Sequence, residues 1–415
     1  MTNPLVVGVD IHRKNNVVSM MDQQGQQAAK GFRVENNRPG CAEFVQQVAQ
    51  QVVQGDFDAI QIGAEATGWY WWHFFQTLRQ APQLTQWPVQ LYAFNPRLTA
   101  SYKKTFSDLD HADPIDAFVV ADRLRIGREL PVPFELDESY FALRLLTRQR
   151  FRLVHNLARE KAYCLTVLYL KVSEYSRKDK KAFSNVFGAA SRAVLQEFAS
   201  IEEIAAIPFD ELVEFIDAKG KRRFPDPVNN TRKLRQIAQD SYSLPKALQE
   251  PVNTVLDLSL RHLAFLERQE KRINTAIAEC IQPIQHTLDT IPGIGPVFSS
   301  GIIAEIGGIE RFDYNQAKVA KYAGLKWRRH QSDEFEAQDT PMTRSRNVYL
   351  RYHFCEAAFA VSRCDREYAA YYQRKHDEVP KHKHKRAIVL TARKLVRLVV
   401  RLLTTNQPYR PRRRS

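Results

Sequence analysis

Cysteine is scarce in this chain of 415 residues: five, at positions 41, 164, 280, 355 and 364, and no two stand in a CxxC pair. That excludes a disulfide framework and a zinc knuckle, and predicts reduced thiols in the core. Long apolar runs are also missing. No stretch approaches the ~18 uninterrupted apolar residues of a membrane helix. The opening MTNPLVVGVDIHRKN has no basic leader ahead of a hydrophobic run, so no signal peptide is expected. These absences predict a cytoplasmic protein with no membrane partner. No internal repeat of solenoid length is visible.

What is present is an ordinary globular composition, 44% hydrophobic and 26% charged. At ~100–200 residues per domain, the length allows two or three domains. The formal net charge of +15 is unevenly spread. From Tyr371 to Ser415 there are 14 Lys/Arg against 2 Asp/Glu, while residues 1–130 hold 12 against 13. A neutral front and a basic end suggest separate tasks, and the basic end points to a polyanion, most simply nucleic acid.

Patterning predicts an α/β front followed by an all-α remainder. LVVGVDIH (5–12), NVVSMMD (16–22) and AAKGFRVE (28–35) read as three strands joined by turns. Helical and strand signals then alternate: a helix over 41–53, strands over 57–65 and 87–95, and a helix opening at Pro114. Two long helices are expected, Tyr140 to about Ser173 and about Val252 to Leu288, with stripes through Leu153, Leu157 and Leu168 and through Leu256, Leu260 and Leu263. Each stripe needs a partner, either the other helix or a second subunit. The expected domains are 1–135, then 136–288 with a helical insert over 174–250, then 289–405, then a basic tail over 406–415.

Three constellations carry chemistry. Asp10 ends the first strand, Glu65 ends the fourth, and Asp113 and Asp116 share one face of a helix start. A single carboxylate at a strand end is ordinarily a solvated cap. Four in this order would repel one another unless a cation held them, and Mg2+ takes oxygen ligands and suits phosphoryl transfer. Asp108, Asp110 and Asp122 are expected to stay outside. The second constellation is PGIGP (292–296), the form of a helix-hairpin-helix, where Gly293 and Gly295 could let backbone amides approach a phosphate. The third is the polar loop around Ser332, with Arg328 and Arg329 before it and Arg344 after it. From spacing alone that serine reads as an ordinary surface residue. The last helix carries Arg386, Arg393, Arg397 and Arg401 opposite an apolar stripe, as a nucleic-acid-binding face would.

VGVDIH, AEATGWYWW, FNPR, HADPIDAFVVA, TIPGIGPVFSSGIIAEIG, AKVAKYAGL and HQSDE–TRSRNVYLR, in this order, resemble a kind of insertion-sequence transposase also known as bridge-RNA-guided recombinases. The resemblance implies an RNase H-like (RuvC-like) DEDD domain, a coiled coil and a C-terminal serine transposase domain. It implies Mg2+ on Asp10, Glu65, Asp113 and Asp116, and Ser332 as a nucleophile forming a phosphoserine link. It further implies donor and target DNA and a structured guide RNA, while the self-complementary long helices and a strand-exchange reaction favour a homodimer or homotetramer. Asp333 stands where relatives carry Gly, which keeps Ser345 as the alternative nucleophile. Two other functions fit parts of the sequence: a RuvC-like nuclease using the carboxylates alone, and a non-catalytic nucleic-acid-binding protein.

The tail supplies the first test. Log affinity for duplex DNA falls with log salt at a slope of about −0.9 per phosphate neutralised. Deleting residues 405–415 removes four arginines and should flatten that slope in a salt titration of DNA binding. An unchanged slope would leave the tail a solvated end.

Overall fold

The computed structural model describes residues 3–106, 112–128, 130–131, 133–135, 137–177, 179–327, 331–332, 335–336, 342 and 346–411. The chain divides into two compact units, 1–138 and 139–415.

The first unit is a five-stranded mixed sheet. Its strands are β1 (Pro4–Ile11), β2 (Asn15–Met21), β3 (Gln27–Glu35), β4 (Ala59–Glu65) and β5 (Val89–Phe94), in the order β3-β2-β1-β4-β5. The first three pair antiparallel through short turns. β4 then pairs parallel with β1, and β5 parallel with β4, after crossovers through α1 (Arg38–Gln54) and α2 (Tyr70–Arg79). Asn37 caps α1 by accepting from the Gly40 amide at 2.9 Å, and Pro39 occupies the first turn, where its missing N–H costs nothing. Helices α3 (Pro96–Lys103) and α4 (Asp113–Ile126) complete the unit. The arrangement is consistent with the expected RNase H-like fold.

Strand alternation sorts β1 into two faces. Leu5, Val7, Val9 and Ile11 join the core under α1 and α2, with Phe44, Phe75, Ile60 and Ile62. Val6 packs under α4 with Val120, Ala121 and Leu124, on the face shared by Gly8 and Asp10. Gly8 and Gly63 are register partners on β1 and β4. A Cβ on Gly8 would run into the Ala117 carbonyl oxygen and the Ala121 amide of α4, and one on Gly63 would lie 2.7 Å from the Phe94 ring. Gly8 thus lets the helix backbone settle on the sheet, and Gly63 beside it leaves room for the Phe94, Leu124 and Val120 side chains.

The second unit is helical. Long helices α5 (Glu138–Lys171) and α10 (Lys246–Cys280) run antiparallel, joined by Arg150 to Asn274 (2.7 Å) and to Glu270 (2.9 Å). Between them in sequence lie α6 (Ala189–Glu197), α7 (Ile201–Ala206), α8 (Phe209–Lys219) and α9 (Pro227–Asp240). The apolar stripes of both long helices are buried in one core with Val194, Leu195, Leu212, Ile216, Leu234 and Ile237 of those short helices. Much of the stripes' partner is therefore the insert, in place of the other long helix or a second subunit alone. α10 ends at Cys280 instead of about Leu288, three residues ahead of Pro283, which disfavours helix in the residue before it.

The C-terminal core is built on α11 (Pro296–Ile306), α12 (Gln316–Tyr322), α13 (Val348–Cys364), α14 (Arg366–Asp377) and α15 (Lys383–Thr405). A two-residue hairpin, β6 (Gln331–Ser332) with β7 (Phe335–Glu336), lies between α12 and α13. Cys41 and Cys164 are buried, but Cys364 is exposed, so the thiols are not all core residues.

Gly8→Ala should destabilise the first unit by the ~1–3 kcal/mol typical of overpacking, with Gly8→Val worse. Thermal denaturation reads this, and a Gly8→Val protein of native stability would refute the close helix–sheet contact.

Candidate active site

The sheet register builds the acidic site. Asp10 follows Val9, which pairs with Ala64, so Asp10 lies beside Glu65 at the C-terminal ends of two parallel strands. Across the sheet the same row continues through Val17 to Arg33 on one side and to Phe94 on the other. Alternation turns this row toward α4. The helix seated on Gly8 and Gly63 carries Asp113 and Asp116 in its first turn, above that row.

The carboxylates meet basic partners. His12 Nε2 lies 2.9 Å from Asp10 Oδ2 and 3.7 Å from Asp113 Oδ1. Arg33 donates to Asp113 at 3.0 Å, and Lys103 to Asp116 at 2.6 Å. Among the described residues, Asp10, His12 and Asp113 offer ligand atoms all within 4.8 Å of one another. Glu65 and Asp116 flank that trio and act on it through charge. Burial, opposed by His12 and reinforced by Asp116 and Asp113, raises the Asp10 pKa above the usual carboxylate range. Glu65 is raised by burial and then by Asp10 and Asp116, against the Thr99 hydroxyl and Lys103. Asp122 stands apart, accepting from Tyr102 Oη at 2.6 Å and from Arg125. Asp108 and Asp110 lie outside the described residues.

This donor set fits a divalent cation: burial, reinforced by neighbouring carboxylates, disfavours the charged forms of two half-buried carboxylates, and a cation would compensate both effects. When bound, such an ion polarises a phosphate and stabilises a leaving oxygen. Sequence reasoning missed His12, Arg33 and Lys103. His12 was legible as the residue two after Asp10, just past the end of the strand; Arg33 needed the register of β3.

The second unit places the other candidates. Gly293 adopts φ +91°, and a Cβ there would meet the Ala360 backbone at 2.9 Å, so it serves close packing against α13. Gly295 sits at the start of α11, with nothing within 4 Å of where its Cβ would be. The element before this turn is a three-residue 3-10 helix, Leu288–Thr290. A glycine turn thus leads into α11 with no α-helix directly preceding it, and the structure does not display the expected helix-hairpin-helix. On α15, Arg386, Arg397 and Arg401 are exposed, while Arg393 is half-buried and donates to Gln316 at 3.1 Å. Ser332 pairs with Phe335 in the small hairpin. Arg328, Arg329, Arg344 and Ser345 lie outside the described residues.

The base of the serine loop is tied by a buried network. Trp327 bridges Met342. Asn347 caps α13, accepting from the Tyr349 and Leu350 amides at 3.0 Å, and donates to Glu305 Oε2 at 2.7 Å and to Tyr322 Oη at 3.0 Å. Glu305 is 1% exposed and receives a two-pronged guanidinium from Arg148 at 2.7 and 2.9 Å. Burial alone would raise the Glu305 pKa, but Arg148, Arg144 and Asn347 hold it below its ordinary value.

The family model DEDD_Tnp_IS110, described as a transposase, matches residues 7–171. The model described as Transposase IS116/IS110/IS902 family matches residues 285–373. The chain belongs to the IS110 family of transposases. The first match spans all four carboxylates, and the second spans the PGIGP turn and the serine loop. This IS110-family protein is accordingly a DNA-recombining enzyme with DNA as its substrate. No curated protein matches the chain. Among the described residues, no helix is long and apolar enough to cross a membrane.

The raised pKa values of Asp10 and Glu65 have a signed consequence. Their contribution to stability is present below the unfolded carboxylate pKa of about 4 and is lost as pH rises through the higher folded values. At neutral pH the crowded site therefore costs stability. Asp10→Asn should raise the melting temperature at pH 7 without added metal, with the gain vanishing at acid pH. A divalent ion should stabilise the wild type and not the variant. Calorimetry across pH checks both, and an Asp10→Asn protein that melts lower at pH 7 contradicts the crowding.

Proposed function

We propose that this enzyme cuts and rejoins the donor and target DNA of a mobile insertion sequence through a phosphoserine intermediate. Mg2+ on Asp10, Glu65, Asp113 and Asp116 would assist Ser332 as the nucleophile. The observation that carries the reading is the row of carboxylates on the sheet, completed by the first turn of α4, in a chain whose two ends match transposase families.

The chemistry explains why a serine is wanted. Carboxylates and metal alone would usually activate water and hydrolyse the strand. Recombination must conserve the phosphodiester's energy until a new strand arrives. Attack of the serine oxygen on phosphorus forms a serine–phosphate ester as the bond to the leaving sugar oxygen breaks. The serine proton departs to solvent or a base, and the leaving alkoxide takes up a proton. Attack by a hydroxyl of the incoming strand reverses these roles and restores the serine, so one exchange becomes two transesterifications. Arg328, Arg329 and Arg344 are suited to steady the charge on phosphorus oxygens. Gly293, Gly295, Arg393, Arg397 and Arg401 are suited to the nucleic-acid backbone. Selection of both DNA partners is assigned to a structured guide RNA, and the working form to a homodimer or homotetramer.

Protein incubated with its DNA, RNA and Mg2+ should give a covalent protein–DNA band on a denaturing gel. Ser332→Ala should lose the band while still binding DNA. A band that survives Ser332→Ala and disappears in Ser345→Ala moves the nucleophile to Ser345. Strand cleavage unaffected by either change would replace this mechanism with the hydrolytic nuclease.

A further inference from the structure

The four acidic residues leave a nitrogen donor unexplained. His12 stands two residues beyond Asp10, so the alternation that aims Asp10 at α4 brings the imidazole to the same side. Its backbone is held in the turn out of β1: its amide donates to the Asn15 carbonyl at 2.9 Å, and its carbonyl accepts from Asn36 Nδ2 at 2.8 Å. From that anchored position Nε2 reaches both Asp10 (2.9 Å) and Asp113 (3.7 Å), residues that come from different elements.

These separations suit ligands of one ion. Donors about 2.1 Å from an octahedral cation stand roughly 3 Å apart when adjacent and roughly 4.2 Å apart when opposite. The Asp10 separation equals the adjacent value, and the Asp113 separation falls between the two. A hydrogen bond to Asp10 alone would explain the first distance but not the approach to Asp113, which Arg33 already neutralises on its other oxygen.

We infer that His12 is a ligand of the metal centre, sharing an ion with Asp10 and Asp113, and that the site therefore prefers Mn2+ to Mg2+. The inference rests on the carboxylates holding a divalent ion. Its chemical basis is donor softness: Mg2+ is a hard ion that stays with oxygen ligands and water, whereas Mn2+, the softer of the two, accepts an imidazole nitrogen among carboxylates more readily. The remaining carboxylates, Glu65 and Asp116, keep an oxygen-rich side on which Mg2+ can still bind more weakly.

Manganese is a direct probe. The full chain is titrated with Mn2+ and followed by electron paramagnetic resonance, with pulsed measurement of nitrogen coupling. Wild-type protein should hold Mn2+ with a 14N coupling. In His12→Gln that coupling should vanish and Mn2+ affinity should fall by about 10–100-fold, the range seen when a metal site loses support, with a smaller change for Mg2+. Circular dichroism confirms the fold of the variant, whose imidazole is half-exposed in the wild type. Mn2+ bound without nitrogen coupling in the wild type overturns the role of His12 and leaves the carboxylate site standing. Coupling that persists in His12→Gln overturns it as well. Wild-type protein that binds no Mn2+ overturns the carboxylate site itself.

Discussion

The seat of α4 on Gly8 is the contact on which the acidic site depends. Strand register alone aligns Asp10 with Glu65, since adjacent parallel strands place equivalent residues side by side. It cannot supply the other two carboxylates. Those arrive on the first turn of a helix, and its height above the sheet is set by what lies beneath Ala117 and Ala121. With no side chain at Gly8 the helix backbone comes into direct contact with the strand, and like charges are pressed together. Arg33 from the edge strand β3 and Lys103 from α3 offset part of that repulsion. Packing energy thus holds an electrostatic arrangement that the carboxylates would not adopt by themselves.

The second unit solves a different problem. Its serine loop leaves α12 and returns at α13, and a charged residue deep in the core organises the junction. Glu305 sits in an otherwise apolar helix, and stripping water from a carboxylate is costly unless geometry and hydrogen bonding compensate. The paired guanidinium prongs of Arg148 and the Asn347 amide do so, and Asn347 simultaneously caps α13. One acidic side chain therefore couples the long helix α5, the helix after PGIGP and the outgoing end of the loop. One turn earlier on α11, the His353 ring fills the space a Cβ on Gly301 would need. Burial holds its pKa down to about 4, so it packs as a neutral ring.

Much of this was legible in the sequence, for identifiable reasons. Period-two alternation marked the strands, Pro114 marked the start of α4, and Asp10, Glu65, Asp113 and Asp116 stood at element ends where chemistry collects. The elusive features share a cause, which is dependence on partners distant in the chain. Arg33 meets Asp113 across 80 positions, and Arg148 meets Glu305 across 157; neither pairing has a local signature. Helix α14 escaped notice because its only buried residue is Tyr368, so it shows no apolar stripe. The insert looked bland because its hydrophobic residues are spread over four short helices, each too brief to show a face that only the two long helices complete.

The Trp327–Met342 bridge, together with the Asn347 clamp just beyond it, has a consequence for how this family can diversify. A loop pinned at its base bears a closure entropy that grows only with the logarithm of its length, about 0.6 kcal/mol for each doubling. The segment of 14 residues between the two bridge positions can therefore lengthen or shorten at small thermodynamic cost, because the Asn347 ties lie outside it. A fixed stem and a variable length around Ser332 are compatible within one scaffold. The helices that carry the segment need no rebuilding when its length changes.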